Sequence, residues 1–222
     1  KDPENLLLGR ANASRLPAEI IRDNALKVSG LLNPKIGGES VLPYQPKGLW
    51  KEKNNFSTFL LEYEESEGED LYRRGLYTFI RRTSPPPNML TFDATSREVC
   101  TVKRDVTSTP LQALVLLNDP QFFEASRVFA ERMIKSKDTL EEQISHGFRL
   151  ATARRPKEEE LEILVDLYKS QYEYFRQNKD KAFQVLSVGE KPRDKNIYSV
   201  QNAAMTMVAN TLLNHNETYT KR

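Results

Sequence analysis

The chain has 222 residues, 38% hydrophobic and 29% charged, which suits a water-soluble folded module with enough apolar material for a real core. Its 33 basic residues against 31 acidic ones leave a net charge of +2, too little basic excess for nucleic acid to be an obligatory partner. One cysteine and two histidines exclude an intrachain disulfide, a thiolate zinc site, a CxxCH haem attachment and a histidine-rich metal centre, and no apolar run nears the roughly 20 residues of a membrane span.

The opening KDPENLLLGR has neither an initiator methionine nor a signal peptide, so the chain reads as a fragment cut from a longer protein. SRLPAEIIRDNALKVSGLL, residues 14–32, then reads as a helix with Pro17 in its first turn. Ala18, Ile21, Ala25, Val28 and Leu32 share one stripe at the 3.6-residue period and form its core face. Arg15, Glu19 and Arg22 gather on a neighbouring face with Asp23 beside them, and read as structural ion-pairing residues.

Residues 33–57 hold three prolines and three glycines with no sustained period. Structureless connections of this length are uncommon in compact domains. Val41, Leu42, Tyr44, Leu49 and Trp50 make this one too apolar for disorder, so a packed irregular arm is expected. EDLYRRGLYTFIRRTSPPP follows as a second expected helix, with Tyr72, Leu76, Phe79 and Ile80 inward, the arginines on another face, and Pro85 ending it. A charged, proline-rich connector occupies residues 83–109, with MLTFD as a short extended piece.

TPLQ at 109–112 is a capping-box start, with Thr109 at the cap, Pro110 first and Gln112 reaching back. That helix ends near Asn118, and Asp119–Pro120 opens a jointed partner through FFEASRVFAERMI. Asp138 is expected to start TLEEQISHGFRLATA. EEELEILVDLYKSQYEYFRQ is the longest pattern, with Leu161, Leu164, Val165, Tyr168, Tyr172 and Phe175 in register. KAFQVLSVG is short, and NIYSVQNAAMTMVANTLLN closes the chain. The expected architecture is one mainly α domain over residues 1–222, an irregular bundle of about six to eight helices with little or no β-structure.

RLPAEIIRD, IGGESVLPYQP, YRRGLYTFIRRTSPP, FDATSRE-C and TSTPLQALVLLNDP, in that order, closely resemble one catalogued family: domain of unknown function number fifteen-fifty-three, also called planctomycete surface domain one. The resemblance runs from about Asp2 to Glu217. It implies an exported, extracytoplasmic location, at the cell surface or in the periplasm, as the C-terminal domain of large multidomain proteins. Such proteins often carry a cytochrome c module outside this region, and their gene neighbourhoods hint at polysaccharide use. The family carries no established reaction.

Among candidate functional residues, Arg73, Arg74, Arg81 and Arg82, with Arg104 and Arg97 nearby, are suited by their guanidinium forks to carboxylate, sulfate or phosphate. Their alternative use is to pair with Glu19, Asp23, Asp93, Glu98 and Asp105 and lock the irregular segments to the helices. Asp93, Glu98 and Asp105 are the candidates from which an acid–base pair for a glycosidic bond would be drawn, although loop spacing fixes no separation between them. Cys100 is expected as a small core residue, His146 as solvated, and His215 and Asn118 as helix-end residues. The leading reading is a non-catalytic scaffold or partner-binding module without a cofactor in this fragment, contacting neighbouring domains or an anionic glycan. A polysaccharide hydrolase and a docking module for a cytochrome domain are the alternatives.

Overall fold

The structure is a computed structural model that describes residues 2–9, 11, 13–50 and 63–221. It is mainly helical, with nine α-helices among the described residues: α1 (Ala18–Ser29), α2 (Pro87–Thr91), α3 (Pro110–Asn118), α4 (Pro120–Ile134), α5 (Leu140–Thr152), α6 (Glu158–Gln177), α7 (Lys179–Leu186), α8 (Ser199–Leu213) and α9 (Asn216–Tyr219). A two-stranded antiparallel ribbon joins the two ends of the chain, β1 (Ser14–Arg15) to β2 (Thr220–Lys221), with Arg15 opposite Thr220.

Helix α8 organises the interior. Its run of small residues, NAAMTMVANTLL, lets it lie between α4 on one side and α6 and α7 on the other. Met205, Val208, Ala209 and Leu212 join α4 residues Ala125, Phe129, Ala130 and Met133 in the larger apolar cluster, which also takes in Ile21, Leu26, Ile144 and Phe148. Val200, Ala203 and Ala204 meet Phe175, Ala182 and Leu186 in a smaller one. Burial of this kind contributes roughly 25 cal/mol per Å² of apolar surface, and it holds the bundle together.

Helix α1 forms as the periodicity predicts, with Ala18, Ile21, Ala25 and Val28 buried. It stops at Gly30, whose left-handed φ of 88° lets its N–H and that of Leu31 return to the Leu26 carbonyl. It begins only at Ala18, so Arg15 lies in β1 and not on the helical face expected to hold it beside Arg22. The α3–α4 joint falls at Asp119, whose carboxylate caps α4 at the Gln121 N–H. Helix α5 is capped by Thr139 rather than Asp138; the threonine hydroxyl accepts from the Glu142 N–H.

The helix expected over EDLYRRGLYTFIRRTSPPP does not form. Two 3-10 turns, Gly68–Tyr72 and Gly75–Tyr77, are separated by Arg73 in an extended conformation. The competing demand is pairing with the arm. Asn33 N–H donates to Tyr72 O, Val41 N–H to Tyr77 O and Phe79 N–H to Val41 O, and a helix would withdraw those groups. Leu76 and Phe79, expected inside, are exposed. MLTFD is not extended but lies in and just after α2, which Pro87 opens. The described part of the arm, residues 33–50, is packed through Val41 and Trp50, while residues 51–57 lie outside the described residues.

Candidate functional site

Three clusters of charge tie irregular chain to the bundle, and each is built around an arginine. The first spans α1, the arm and the 3-10 turns. Arg22, 2% exposed, donates to Gln121 Oε1 at 2.6 Å, to Arg73 O at 2.5 Å and to Leu71 O at 3.0 Å. Burial pulls its pKa down to about 10, which still leaves it charged at neutral pH. Arg73, also 2% exposed, reaches the other way and donates to the carbonyls of Lys35, Gly37 and Glu39, with its guanidinium 3.9 Å from the Tyr77 ring centroid. One planar fork thereby closes the IGGES loop. Asp23 accepts from the Gly75 N–H at 2.6 Å and lies 3.6 Å from Arg74. Gly75 packs closely against α1 at this point: a Cβ there would stand 3.0 Å from the Glu19 Cα, and the helix would have to give by a few tenths of an ångström.

The second cluster closes the connector. Arg15 donates to Asp93 Oδ2 at 2.5 Å and to the carbonyls of Leu16, Phe92 and Thr107. Asp93, at a left-handed φ of 58°, also accepts from the Thr107 N–H and hydroxyl. Partial burial opposes its charge, but the Thr107 bonds and Arg15 outweigh that and hold the carboxyl below its usual range. Gln112 adds bonds to Thr91 O and Thr107 Oγ1 and accepts from the Thr109 N–H. Outside the clamp, Arg104 grips Glu19 with both nitrogens, at 2.8 and 3.2 Å, and lowers the Glu19 pKa against the effect of burial.

The third cluster was not anticipated and is the most deeply buried. On α4, Glu124 and Arg127 are 0% exposed and Glu131 is 8% exposed. The Glu124 carboxylate accepts from Tyr72 Oη at 2.8 Å, Tyr44 Oη at 3.0 Å and the Lys191 N–H at 2.7 Å. Burial, reinforced by the Glu124 charge, pushes both tyrosine pKa values far up and keeps them donors. Arg127 donates to the carbonyls of Val188 and Lys191 and to Glu131. Glu131 accepts in turn from the Asp194 N–H and Asn202 Nδ2. The loop between α7 and α8 is thereby strapped along α4. The signal lay in EASRVFAER, where a charge pattern of i, i+3 and i+7 coincides with the apolar stripe.

Of the arginines singled out from the sequence, Arg22, Arg73, Arg15 and Arg104 all bond inward. Arg81 stacks over Trp50 at 5.2 Å and donates to Thr83 Oγ1, and Arg82 is exposed. Glu98 and Asp105 are exposed, and the Asp93 carboxylate already accepts from Arg15 and Thr107. An acid with that many donors and a lowered pKa is badly suited to protonating a glycosidic oxygen. Cys100, expected in the core, is exposed, because residues 97–110 bulge outward between their anchors. Thr109 and Gln112 form the expected start of α3, and Asn118 Nδ2 donates to Leu114 O within the helix end. His146 is half-buried, with its pKa lowered by burial and then by Arg132, Lys137 and Arg149. His215 follows the end of α8, its N–H returning to the Leu212 carbonyl, and its Nδ1 accepts from the Glu217 N–H and caps α9. Among the described residues no helix is long and apolar enough to cross a membrane, and no group of three His, Cys, Asp or Glu side chains is arranged to hold a metal.

A family model described as PSD1, protein of unknown function (DUF1553), matches residues 1–168, which contain the first two clusters and the α4 part of the third. No curated protein and no solved structure matches the chain.

Proposed function

We propose that this chain, which belongs to the PSD1 family of proteins of unknown function, is a non-catalytic module whose arginines fasten irregular segments into one rigid surface for a neighbouring domain or partner. One observation carries the reading. The buried guanidiniums of Arg22, Arg73 and Arg127 donate to main-chain carbonyls at Lys35, Gly37, Glu39, Leu71, Arg73, Val188 and Lys191. With their other nitrogens turned to the protein's own carbonyls and side chains, and Arg73 Nε buried without a partner, these guanidiniums have no open fork to offer an anionic ligand. Asp93, the best placed of the candidate acids, is occupied in the same way. The resemblance of the motifs to exported surface proteins supports an extracytoplasmic location, a single domain over residues 1–222, and a neighbouring domain or glycan as the partner.

A thermal-shift titration with inorganic sulfate and with sulfated and uronic oligosaccharides tests this. An anion site filled at 100 times its Kd would add about 2.7 kcal/mol, a rise of roughly 5–10 °C for a chain of this size. The fastening role predicts no saturable rise. A saturable rise that disappears in Arg81→Ala or Arg82→Ala would overturn it in favour of an anion-binding domain.

A further inference from the structure

The connector between α2 and α3 is pinned at its two feet and by one side chain between them. At the feet, the Asp93 carboxylate accepts from the Thr107 N–H at 2.8 Å, and Arg15 donates to the Thr107 carbonyl at 3.0 Å. Residues 94–106 thereby form an Ω-loop whose ends touch. All of residues 97–109 are exposed, and none of them lies in a helix or strand. Among the described residues, no backbone N–H or carbonyl of residues 99–106 makes a hydrogen bond. Val99, Val102 and Val106 add no packing, since all three stand in solvent. Such a backbone can be drawn out straight without breaking anything, and exposed loops of this kind are where proteases nick folded chains.

The loop carries three basic side chains, and their settings differ. Arg97 has a left-handed φ of 61°, which turns the chain back and does not suit the extended strand that a protease binds. Arg104 spends both terminal nitrogens on Glu19, at 2.8 and 3.2 Å. Lys103 is exposed, and its ammonium has no partner among the described residues. A protease of the trypsin class takes a basic side chain into an acidic pocket and cleaves on its carboxyl side. Lys103 alone of the three combines a free cation with a backbone free to extend.

A cut after Lys103 divides the chain without opening its core. Helix α1 falls in the first piece and α4, α5 and α8 in the second, yet Ile21 and Leu26 share one apolar cluster with Phe129, Met133 and Ile144. Polar bonds also cross the division: Arg22 to Gln121, Tyr72 to Glu124, Asp93 to Thr107, and β1 to β2.

We infer that the Lys103–Arg104 bond is a processing site for a protease of the trypsin class, and that the cut chain persists as a two-piece module. Water adds across the amide. Its oxygen joins the Lys103 carbonyl carbon, a proton passes to the Arg104 nitrogen, and a carboxylate and an ammonium replace the peptide bond. Arg104 becomes the first residue of the second piece and keeps its hold on Glu19 in the first. The cut is independent of the fastening role, whereas the cohesion of the pieces rests on it, and the two are read separately.

The test is a time course of limited trypsin digestion of the 222-residue chain, with fragments read by mass and the digest by gel filtration. A fragment beginning at Arg104 is expected about tenfold faster than any cut after Arg193 or Lys195, whose loop is strapped to Glu124 and Glu131. In Lys103→Gln, a change at an exposed position, the loop is expected to stay whole although Arg97 and Arg104 remain. In Glu19→Gln, Arg104 is released and a second fragment, beginning at Asp105, is expected. The pieces should elute together at the volume of the uncut chain and part only in urea. No Arg104 fragment from the wild type overturns the site, as does a cut that moves to Arg97 or Arg104 at an equal rate in Lys103→Gln. Pieces that separate in buffer overturn the two-piece module and the fastening role with it.

Discussion

Replacing Gly189 by alanine removes no contact, yet it is expected to be among the most damaging single changes in the molecule. Gly189 has a left-handed φ of 89°, and a Cβ there would lie 2.2 Å from Glu124 Cδ and 2.4 Å from both Cγ and Oε1. Glu124 cannot move aside cheaply. It is 0% exposed, and its carboxylate holds Tyr44, Tyr72 and the Lys191 N–H. The left-handed backbone costs a residue with a Cβ about 1 kcal/mol. Overpacking adds about 1–3 kcal/mol, and loss of one bond to a buried carboxylate about 1.5–3 kcal/mol. These overlap, so a loss of about 3–5 kcal/mol is expected, lowering Tm by roughly 10 °C. Urea unfolding of Gly189→Ala in the wild-type and Glu124→Ala backgrounds separates the terms. In the second background the clash is gone, and the added cost falls to about 1 kcal/mol. A single-variant loss below about 1 kcal/mol, or the same cost in both backgrounds, would refute the close approach as the cause.

Arg22→Met leaves Arg73 O and Gln121 Oε1 buried without their donor, and a loss of about 3–5 kcal/mol is expected from the denaturation midpoint at unchanged m-value. Arg22→Lys recovers only part of this, because an ammonium cannot span three acceptors in one plane; full recovery would show that the fork is irrelevant. Glu160, gripped by both nitrogens of Arg154 at 2.7 Å and by the Lys157 N–H, has its pKa held down to about 2 from 4.5. A depressed carboxyl stabilises the fold above its unfolded value, so this contribution is complete above about pH 4.5 and lost as pH falls towards 2. Because the pair is partly exposed, roughly 1 kcal/mol is expected, and Glu160→Gln should remove that part of the acid slope; an unchanged slope would rule the pair out.

Where helical periodicity met a matching core, the sequence was readable. The α1 stripe, the α3–α4 joint at Asp119–Pro120, and the long run of α6 with Leu164, Val165 and Phe175 inside all form as patterned. Legibility failed where a partner distant in sequence set the conformation. Residues 69–87 carry a helical period, but Tyr72, Tyr77 and Phe79 give their backbone groups to Asn33 and Val41, some 40 residues earlier. The same distance hid the site. Arg73 was selected for its charge, yet its partners are carbonyls, which leave no mark in a sequence. Glu124, Arg127 and Glu131 were not among the residues singled out, because nothing local shows that the α7–α8 loop folds back over α4. Cys100 reads as core material by residue type, but the two anchors of its loop are polar and hold it outside.

The most direct test of the arginines as internal fasteners is native-state hydrogen exchange on Arg73→Met beside wild type. Arg73 donates to three carbonyls of residues 35–39, where the Gly37 N–H also donates to Tyr77 Oη, and the paired residues 33, 41 and 79 lie next to it. Loss of the fork should expose amides in those stretches by at least tenfold in protection while α4 and α8 keep theirs. Protection unchanged across residues 33–41 and 72–79 would contradict the account, since the irregular segments would then hold their shape without the guanidinium.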